Sequence, residues 1–443
     1  MRKVLSFLFF SELLVCVSLS ANALERQPGA DYHARREALA KKAGGIVLLF
    51  APLEAGDAVY GFRQEDNFYY LSGLTEPGVA LLIAPAVEAK GDSPATPYSE
   101  FLFLPPHNLR AEKFTGPKLG AENPDASKIT GFDHVEEMGK LPDQVSKVIG
   151  GSRPLIYTDV APPGEPTSTA EPLAFLKRTN AFIGLQDVKP MLTSLRTFKD
   201  AGEAALIRKA VDASVAAHMA AMKAVKPNVK EFEVSALMQY EWGRRGCERP
   251  SYSPIVGSGH NSTVLHYSDN SNTMKAGDVV VIDAAAEYSM YAADITRTLP
   301  VSGHFTARQK EIYDIVLGAQ EAAMAAFQSG KSLLYGDTEA SLNRVAKDYI
   351  KAHGKDLHGQ PLDQYFIHGL GHYIGLNVHD SGDYKIPLGP GAAFTIEPGI
   401  YIPEENFGVR IEDDYYVDAD GKLIKLSAAL PSKAEEVEKA MKN

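Results

Sequence analysis

The chain has 443 residues, 45% of them hydrophobic and 23% charged, which is room and composition for two globular domains with full cores and excludes a disordered or fibrous protein. Its formal charge of −11 argues against nucleic acid as a partner, because phosphate binding needs a net basic face. Residues 1–23 begin with Arg2 and Lys3, continue as an apolar run to Leu19 and end on the small residues Ala21 and Ala23. That is the pattern of a secretory signal peptide cut after Ala23, and it predicts an exported protein, periplasmic or secreted. Cys16 invites a lipoprotein reading, to which Val15 is a poor fit. Glu12 interrupts the run, which is too short for a membrane span of about 20 apolar residues. Cleavage leaves Cys247 alone, so no internal disulfide is expected, and it reads as a small buried hydrophobe.

The mature chain opens on a predicted helix over residues 32–42 and a buried strand over 46–50, IVLLF. In 61–74, GFRQEDNFYYLSGL, a polar turn enters an aromatic run that reads as a strand. Further strands are predicted at 79–84, 101–104 and 155–158, with Pro-, Gly- and Ser-dense loops at 88–99 and 162–172. The composition changes near Arg196. Asp200 and Glu203 form a capping box, and the Ala-rich stretch after them keeps helical periodicity up to Pro227. More helices are expected at 229–245, 307–329 and 338–353, each followed by a glycine. Strands are expected at 279–283, 291–297, 393–397 and 409–412, and one hairpin can span Asp283 to Asp294. The expected organisation is a smaller α/β domain over 24–195 followed by an α+β domain over 196–443.

Four apolar strands in the second half end in a carboxylate: Asp283 after VVVI, Asp294 in YAADITRT, Glu397 after AAFTI and Glu412 after VRI. A charge placed beside a core is costly unless a cation or hydrogen bonds compensate it. The stretch 366–380, FIHGLGHYIGLNVHD, adds His368, His372 and His379. His368 and His372 have i, i+4 spacing, but Gly369, Leu370 and Gly371 lie between them, which excludes an HExxH zinc site. An oxygen-rich set with one nitrogen donor suits two divalent ions of the Mn²⁺, Co²⁺ or Zn²⁺ type better than one structural zinc. Two such ions sharing a water point to hydrolysis.

The motifs IDAAAEY, ADITRT, HGLGH, TIEPGIY and VRIEDD, in that order, resemble those of the pita-bread metallopeptidases, the family of methionine aminopeptidase, prolidase and aminopeptidase P. The segment FRQEDNFYYLSG is similar to the amino-terminal domain of aminopeptidase P and prolidase, which methionine aminopeptidase lacks. The resemblance implies a C-terminal pita-bread catalytic domain and a two-metal Xaa-Pro aminopeptidase, acting on peptides with proline at the second position. Mn²⁺ would be the first choice of ion. It implies metal ligands at Asp283, Asp294, His372, Glu397 and Glu412, with Asp294 and Glu412 bridging and Glu397 accepting a proton from water. It further implies substrate contacts at His266 and His379, a proline-ring pocket lined by His368, and Arg410 at the mouth of the site; for Arg410 a salt bridge to Glu412 or a neighbouring Asp is the plainer alternative. Tyr401 reads equally as a support for the site and as core. A prolidase acting on dipeptides is the alternative within the family, and the absence of Arg from residues 381–396 tilts towards the aminopeptidase. A metal-free relative, either a creatinase-like hydrolase or a binding protein, would be expected to have lost ligands. Relatives imply a homodimer or homotetramer.

Overall fold

The apolar run IVLLF is buried on both faces as strand β1 (Ile46–Phe50), as an interior strand of a sheet covered on both sides requires. This chain is described by a computed structural model over residues 24–54, 60–89, 95, 97–149, 155–160 and 184–442. The leader at 1–23 and the loop at 162–172 fall outside those residues, as does part of the loop at 88–99. β1 lies within a mixed sheet with β2 (Ala80–Ala84), β3 (Ser99–Leu104), β4 (His134–Glu137), β5 (Leu155–Thr158) and β6 (Gly184–Asp187), in the order β4-β3-β2-β1-β5-β6. Side chains alternate across it, as strand geometry dictates. Ile46, Leu48, Leu82 and Phe103 meet the helix Leu141–Ile149 on one face. Val47, Leu49, Leu81 and Leu102 meet the helices Gly29–Ala43 and Asp66–Ser72 on the other.

The aromatic run expected to be a strand is that second helix. The Glu65 carboxylate accepts from the Phe68 N–H at 2.8 Å and caps its start, while Gly73 ends it in the left-handed conformation. With both ends supplied, burial of Phe68, Tyr69 and Tyr70 against helix and sheet overrides their strand preference. A side chain at Gly73 would also strike the Tyr32 ring, 2.3 Å from an added Cβ.

In the second half, the capping box at Asp200 starts the helix Ala201–Ala224, and the other helices run Glu231–Gly243, Ala307–Ala326 and Leu342–Ala352. They surround small antiparallel sheets built from β7 (Arg249–Pro250), β8 (Ile255–Ser258), β9 (Val279–Asp283), β10 (Ala286–Tyr288), β11 (Tyr291–Ala292), β12 (Thr296–Pro300), β13 (Ala393–Ile396), β14 (Gly399–Ile402), β15 (Phe407–Arg410), β16 (Asp413–Val417) and β17 (Leu423–Lys425). The expected hairpin is nested: β9 pairs with β12, setting Asp283 opposite Thr296, and β10 with β11 forms an inner hairpin. The strands expected at 291–297 and 409–412 each break at their carboxylate. Asp294 gives its N–H to the Asp414 carboxylate at 2.9 Å, and Glu412 keeps only an isolated bridge to Thr296. Cys247 is buried and free. Among the described residues no helix is long and apolar enough to cross a membrane.

One buried ion pair staples the first half together. The fully buried Arg36 donates to both Glu100 oxygens at 2.7 Å and to the Leu71 carbonyl at 2.8 Å. Removing one partner strands the other charge, so Arg36→Met should lower stability by about 3–5 kcal/mol. Arg36→Met combined with Glu100→Leu should lose less than Arg36→Met alone. Urea unfolding midpoints check both, and equal losses in the single and double variants would contradict the pairing.

Candidate active site

The breaks in the strands converge on a cavity of about 700 Å³ in the second half of the chain. Asp283, at the end of β9, is held by its neighbours in register, Ile255 on β8 and Thr296 on β12. Asp294 and Glu412 reach the same place from the gaps before β12 and β16, and Glu397 comes from the end of β13, where its N–H donates to the Leu370 carbonyl at 2.7 Å. His372 arrives on the neighbouring loop, with its backbone N–H on the Thr395 hydroxyl at 3.1 Å. All five side chains line the cavity, together with His266, His368, His379 and Arg410. Tyr401 lies behind its wall.

Burial makes this cluster of carboxylates costly. It pushes the Asp283 and Glu412 carboxyls up, Asp283 against the opposing pull of Arg410 and Glu412 further through the neighbouring Asp294. Burial raises Glu397 to about 7, with His372 pulling the other way. His372 responds in the opposite sense: burial disfavours its charge, yet the carboxylates of Asp294 and Glu397 hold it up to about 9. Its Nδ1 bonds the Tyr373 carbonyl at 3.1 Å, and its Nε2 faces Asp294 at 3.3 Å and Glu397 at 3.4 Å.

Among the described residues, Asp283 Oδ1, Asp294 Oδ1 and Glu412 Oε1 are buried with no hydrogen-bond partner, a state that native interiors avoid unless something else satisfies the oxygen. Asp294, His372 and Glu412 each offer a ligand atom, all within 4.8 Å of one another. Oxygen donors from several carboxylates plus one imidazole fit a divalent cation, and the proton drawn to His372 occupies the side that would face it.

The residues that support this cluster were not singled out in the sequence, although Thr296 and Arg297 stand within ADITRT and Asp414 within VRIEDD. Thr296 Oγ1 donates to Glu412 Oε2 at 2.6 Å. The fully buried Arg297 donates to the Glu412 carbonyl at 2.8 Å and to Asp413 at 2.7 Å. His218, kept neutral as burial and Arg297 lower it to about 4, places Nε2 at 2.9 Å from the Ala284 carbonyl and 3.1 Å from that of Ile295, beside Asp283 and Asp294. Asp414 lies buried against the carboxylates, and the partly buried Tyr252 also packs beside them. The pair IEDD was legible as acidic, but nothing in the sequence distinguished Asp414 as a prop.

Arg410, expected at the mouth, is buried. Its donors go to Asp283 at 2.5 Å, Thr296 at 3.1 Å and Tyr401 at 2.9 Å, so the plainer reading, a salt bridge to a neighbouring Asp, describes its position. Tyr401 in turn donates to His368 Nε2 at 2.8 Å, and the other His368 nitrogen bonds the Gly369 carbonyl at 2.8 Å. Burial and Arg410 lower His368 to about 4. It meets the cavity as a neutral ring with both nitrogens engaged. His266 and His379 are exposed, and neither ring makes a hydrogen bond among the described residues; His379 packs edge-on to His372 with ring centres 4.3 Å apart.

At Gly369 and Gly371 the missing side chains make room for neighbouring protein atoms. An added Cβ would lie 2.3 Å from the Tyr335 hydroxyl at Gly369 and 2.0 Å from the Thr395 carbonyl at Gly371.

Comparison with known proteins places this architecture. Residues 205–419 match metallopeptidase family M24, and residues 32–157 match the aminopeptidase P N-terminal domain. The Xaa-Pro aminopeptidase of Escherichia coli (strain K12) is 34% identical, over 93% of this chain and 97% of its own. Among solved structures, a putative aminopeptidase P from Bacillus anthracis superposes with a TM-score of 0.83 at 30% identity, covering 94% of this chain and 99% of that one. Aminopeptidase P from E. coli with the inhibitor Pro-Leu gives 0.80 at 31% identity, with coverage of 94% and 99%. The chain belongs to metallopeptidase family M24, in its Xaa-Pro aminopeptidase group.

Proposed function

We propose that this chain is a Xaa-Pro aminopeptidase, which hydrolyses the bond between the N-terminal residue of a peptide and the proline that follows it. The observation that carries this reading is the set of unpartnered oxygens on Asp283, Asp294 and Glu412 in the cavity wall, in a chain whose relatives bear that name. Asp283 would hold one ion, Asp294 and Glu412 would bridge two, and His372 with Glu397 would complete the second site. Ions bound there supply polarisation of the scissile carbonyl and a water acidic enough to attack near neutral pH. Mn²⁺ is the ion proposed, with Zn²⁺ and Co²⁺ as alternatives that the same donors accept.

The chain's own groups then handle protons and position. The nitrogen of an Xaa-Pro bond is a tertiary amide without an N–H, so it must gain a proton to leave. Glu397, which reaches the cavity from the end of β13, is placed to accept a proton from water and return it to that nitrogen as the C–N bond breaks. His379 and His266, whose rings make no hydrogen bond among the described residues, donate to the substrate and to the carbonyl oxygen as it becomes an oxyanion. The neutral ring of His368 offers an apolar wall to proline. Arg410 and Tyr401 act through others, Arg410 by holding Asp283 and Tyr401 by holding His368.

Charge favours a peptide over a dipeptide. Among the described residues lining the cavity the sole Arg or Lys is Arg410, tied to Asp283, so a dipeptide's terminal carboxylate meets no free cation. A metal-free binding role is disfavoured because all five ligand positions keep their donors. Export through the leader at 1–23, to the periplasm or medium, and assembly as a homodimer or homotetramer are part of this proposal. The leader's residue pattern supports the first, and the habit of the resembled family supports the second. A mature chain starting at Leu24 and a multimeric mass in light scattering are expected; a retained Met1 or a monomer would contradict them.

Mn²⁺-loaded protein should cleave a Xaa-Pro-Xaa tripeptide much faster than a Xaa-Pro dipeptide, and turnover of the dipeptide alone would exclude the aminopeptidase. Changes around a ligand cost about 10–100-fold in affinity or activity, so Asp294→Ala, which removes a ligand, should cost more, with metal content lost and the fold retained. Full activity in that variant would refute the assignment. Binding must displace the proton from His372, held up to about 9, and from Glu397, near 7. Calorimetry in buffers of different ionisation enthalpy should therefore show proton release, with Mn²⁺ affinity rising from pH 6 to 9; binding independent of pH would contradict it.

A further inference from the structure

His379 is a proposed oxyanion donor that also packs against His372, yet no hydrogen bond among the described residues holds its ring. The imidazole is exposed and makes no hydrogen bond among the described residues. Its place is set by the backbone of residues 375–380, which Ala292, Tyr373, Arg196 and Lys199 hold from within the catalytic half and Arg63 and Asp66 hold from outside it.

Arg63, in the polar turn FRQED of the first half, donates to the Leu376 carbonyl at 2.5 Å, to Asp66 at 2.8 Å and to Glu287 at 2.8 Å. Asp66 accepts from the Asn377 amide at 3.2 Å, and the Asn377 side-chain oxygen accepts the His379 N–H at 3.2 Å. On the far side of His379, the buried Asp380 binds Arg196 at 2.5 Å and Lys199 at 2.9 Å. Arg196 also donates to Asn67 at 2.6 Å. The residues on both flanks of His379 are thus tied, directly or through one cation, to Arg63, Asp66 and Asn67.

We propose that the segment Arg63, Asp66 and Asn67 is a positioning element for catalysis, which fixes the loop carrying His379 and so sets the reach of that imidazole to the substrate. This rests on the reading of His379 as an oxyanion donor. It gives the N-terminal domain a part in turnover apart from any part in binding, and it explains why a polar turn is built from a guanidinium fork. Arg63 serves a carbonyl and two carboxylates at once, which the point charge of Lys cannot do. A small displacement of a catalytic group is enough to cost roughly 100-fold in rate.

The test uses the full Mn²⁺-loaded enzyme and a Xaa-Pro-Xaa tripeptide. Arg63→Lys should retain metal content and lower kcat by on the order of 10- to 100-fold, with KM moved less than kcat. Asn377→Ala, at an exposed position, should do the same through the second tie and serves if Arg63→Lys fails to fold. The decisive comparison is made in the His379→Ala background, where Arg63→Lys and Asn377→Ala should cost nothing further. Losses that multiply there would overturn the proposal, as would wild-type kcat in both single variants. Full activity of His379→Ala alone would overturn the underlying role of His379, and the proposal with it, a result distinct from either of the others.

Discussion

Asp283, Asp294, Glu397 and Glu412 share one buried cavity wall, and that crowding is the constraint on which the rest of the site depends. Carboxylates gathered out of water repel one another and lose hydration, and their own interactions cannot make up the loss. Within the protein the nearby positive partners are Arg410 on Asp283 and a protonated His372 between Asp294 and Glu397. Three carboxylate oxygens in the cluster have no hydrogen-bond partner among the described residues. A fold that keeps such an arrangement has a use for cations there, and the membership of family M24 agrees with that use.

Much of the surrounding structure can be understood as scaffolding for those charges. Strands stop where a carboxylate must leave the pleat, and the freed backbone groups find side-chain or bridge partners instead: the Asp294 N–H goes to Asp414 and the Glu412 N–H to the Thr296 carbonyl. Arg297 and His218 take the carbonyls beside the ligands. The glycines of HGLGH let that loop lie against β13 and Tyr335, which brings His372 towards Asp294. A chain Arg410, Tyr401, His368 transmits order from Asp283 to the far wall. Rigid elements and satisfied neighbours are what hold a catalytic constellation within the narrow tolerance that chemistry demands.

The sequence made the ligands legible because each closes a recognisable apolar strand or sits in a histidine-rich loop, and five such motifs occur in a set order. Their supports were not legible. Thr296, Arg297 and His218 act through contacts with residues far away in the chain, so that even for Thr296 and Arg297, which stand within ADITRT, the partner is not visible locally. For Arg410 a salt bridge to a carboxylate was legible as the plainer alternative, but its burial and Asp283 as its partner were not, since both are tertiary properties. The misread aromatic helix has a local cause: Phe68, Tyr69 and Tyr70 favour strands, and the Glu65 cap and Gly73 stop outweigh that preference only with the packing around them. Gly369 and Gly371 read only as a break between two histidines, because the tyrosine and the strand carbonyl packed against them come from distant parts of the chain.

The central claim is that the unpartnered oxygens exist to bind two divalent ions. Crystals of the protein equilibrated with Mn²⁺ and measured at the manganese absorption edge test it most directly. The account predicts two anomalous peaks roughly 3.5–4 Å apart, one reached by Asp283, one by His372 and Glu397, with Asp294 and Glu412 contacting both. A cavity without anomalous density, or manganese held by other residues, would contradict it.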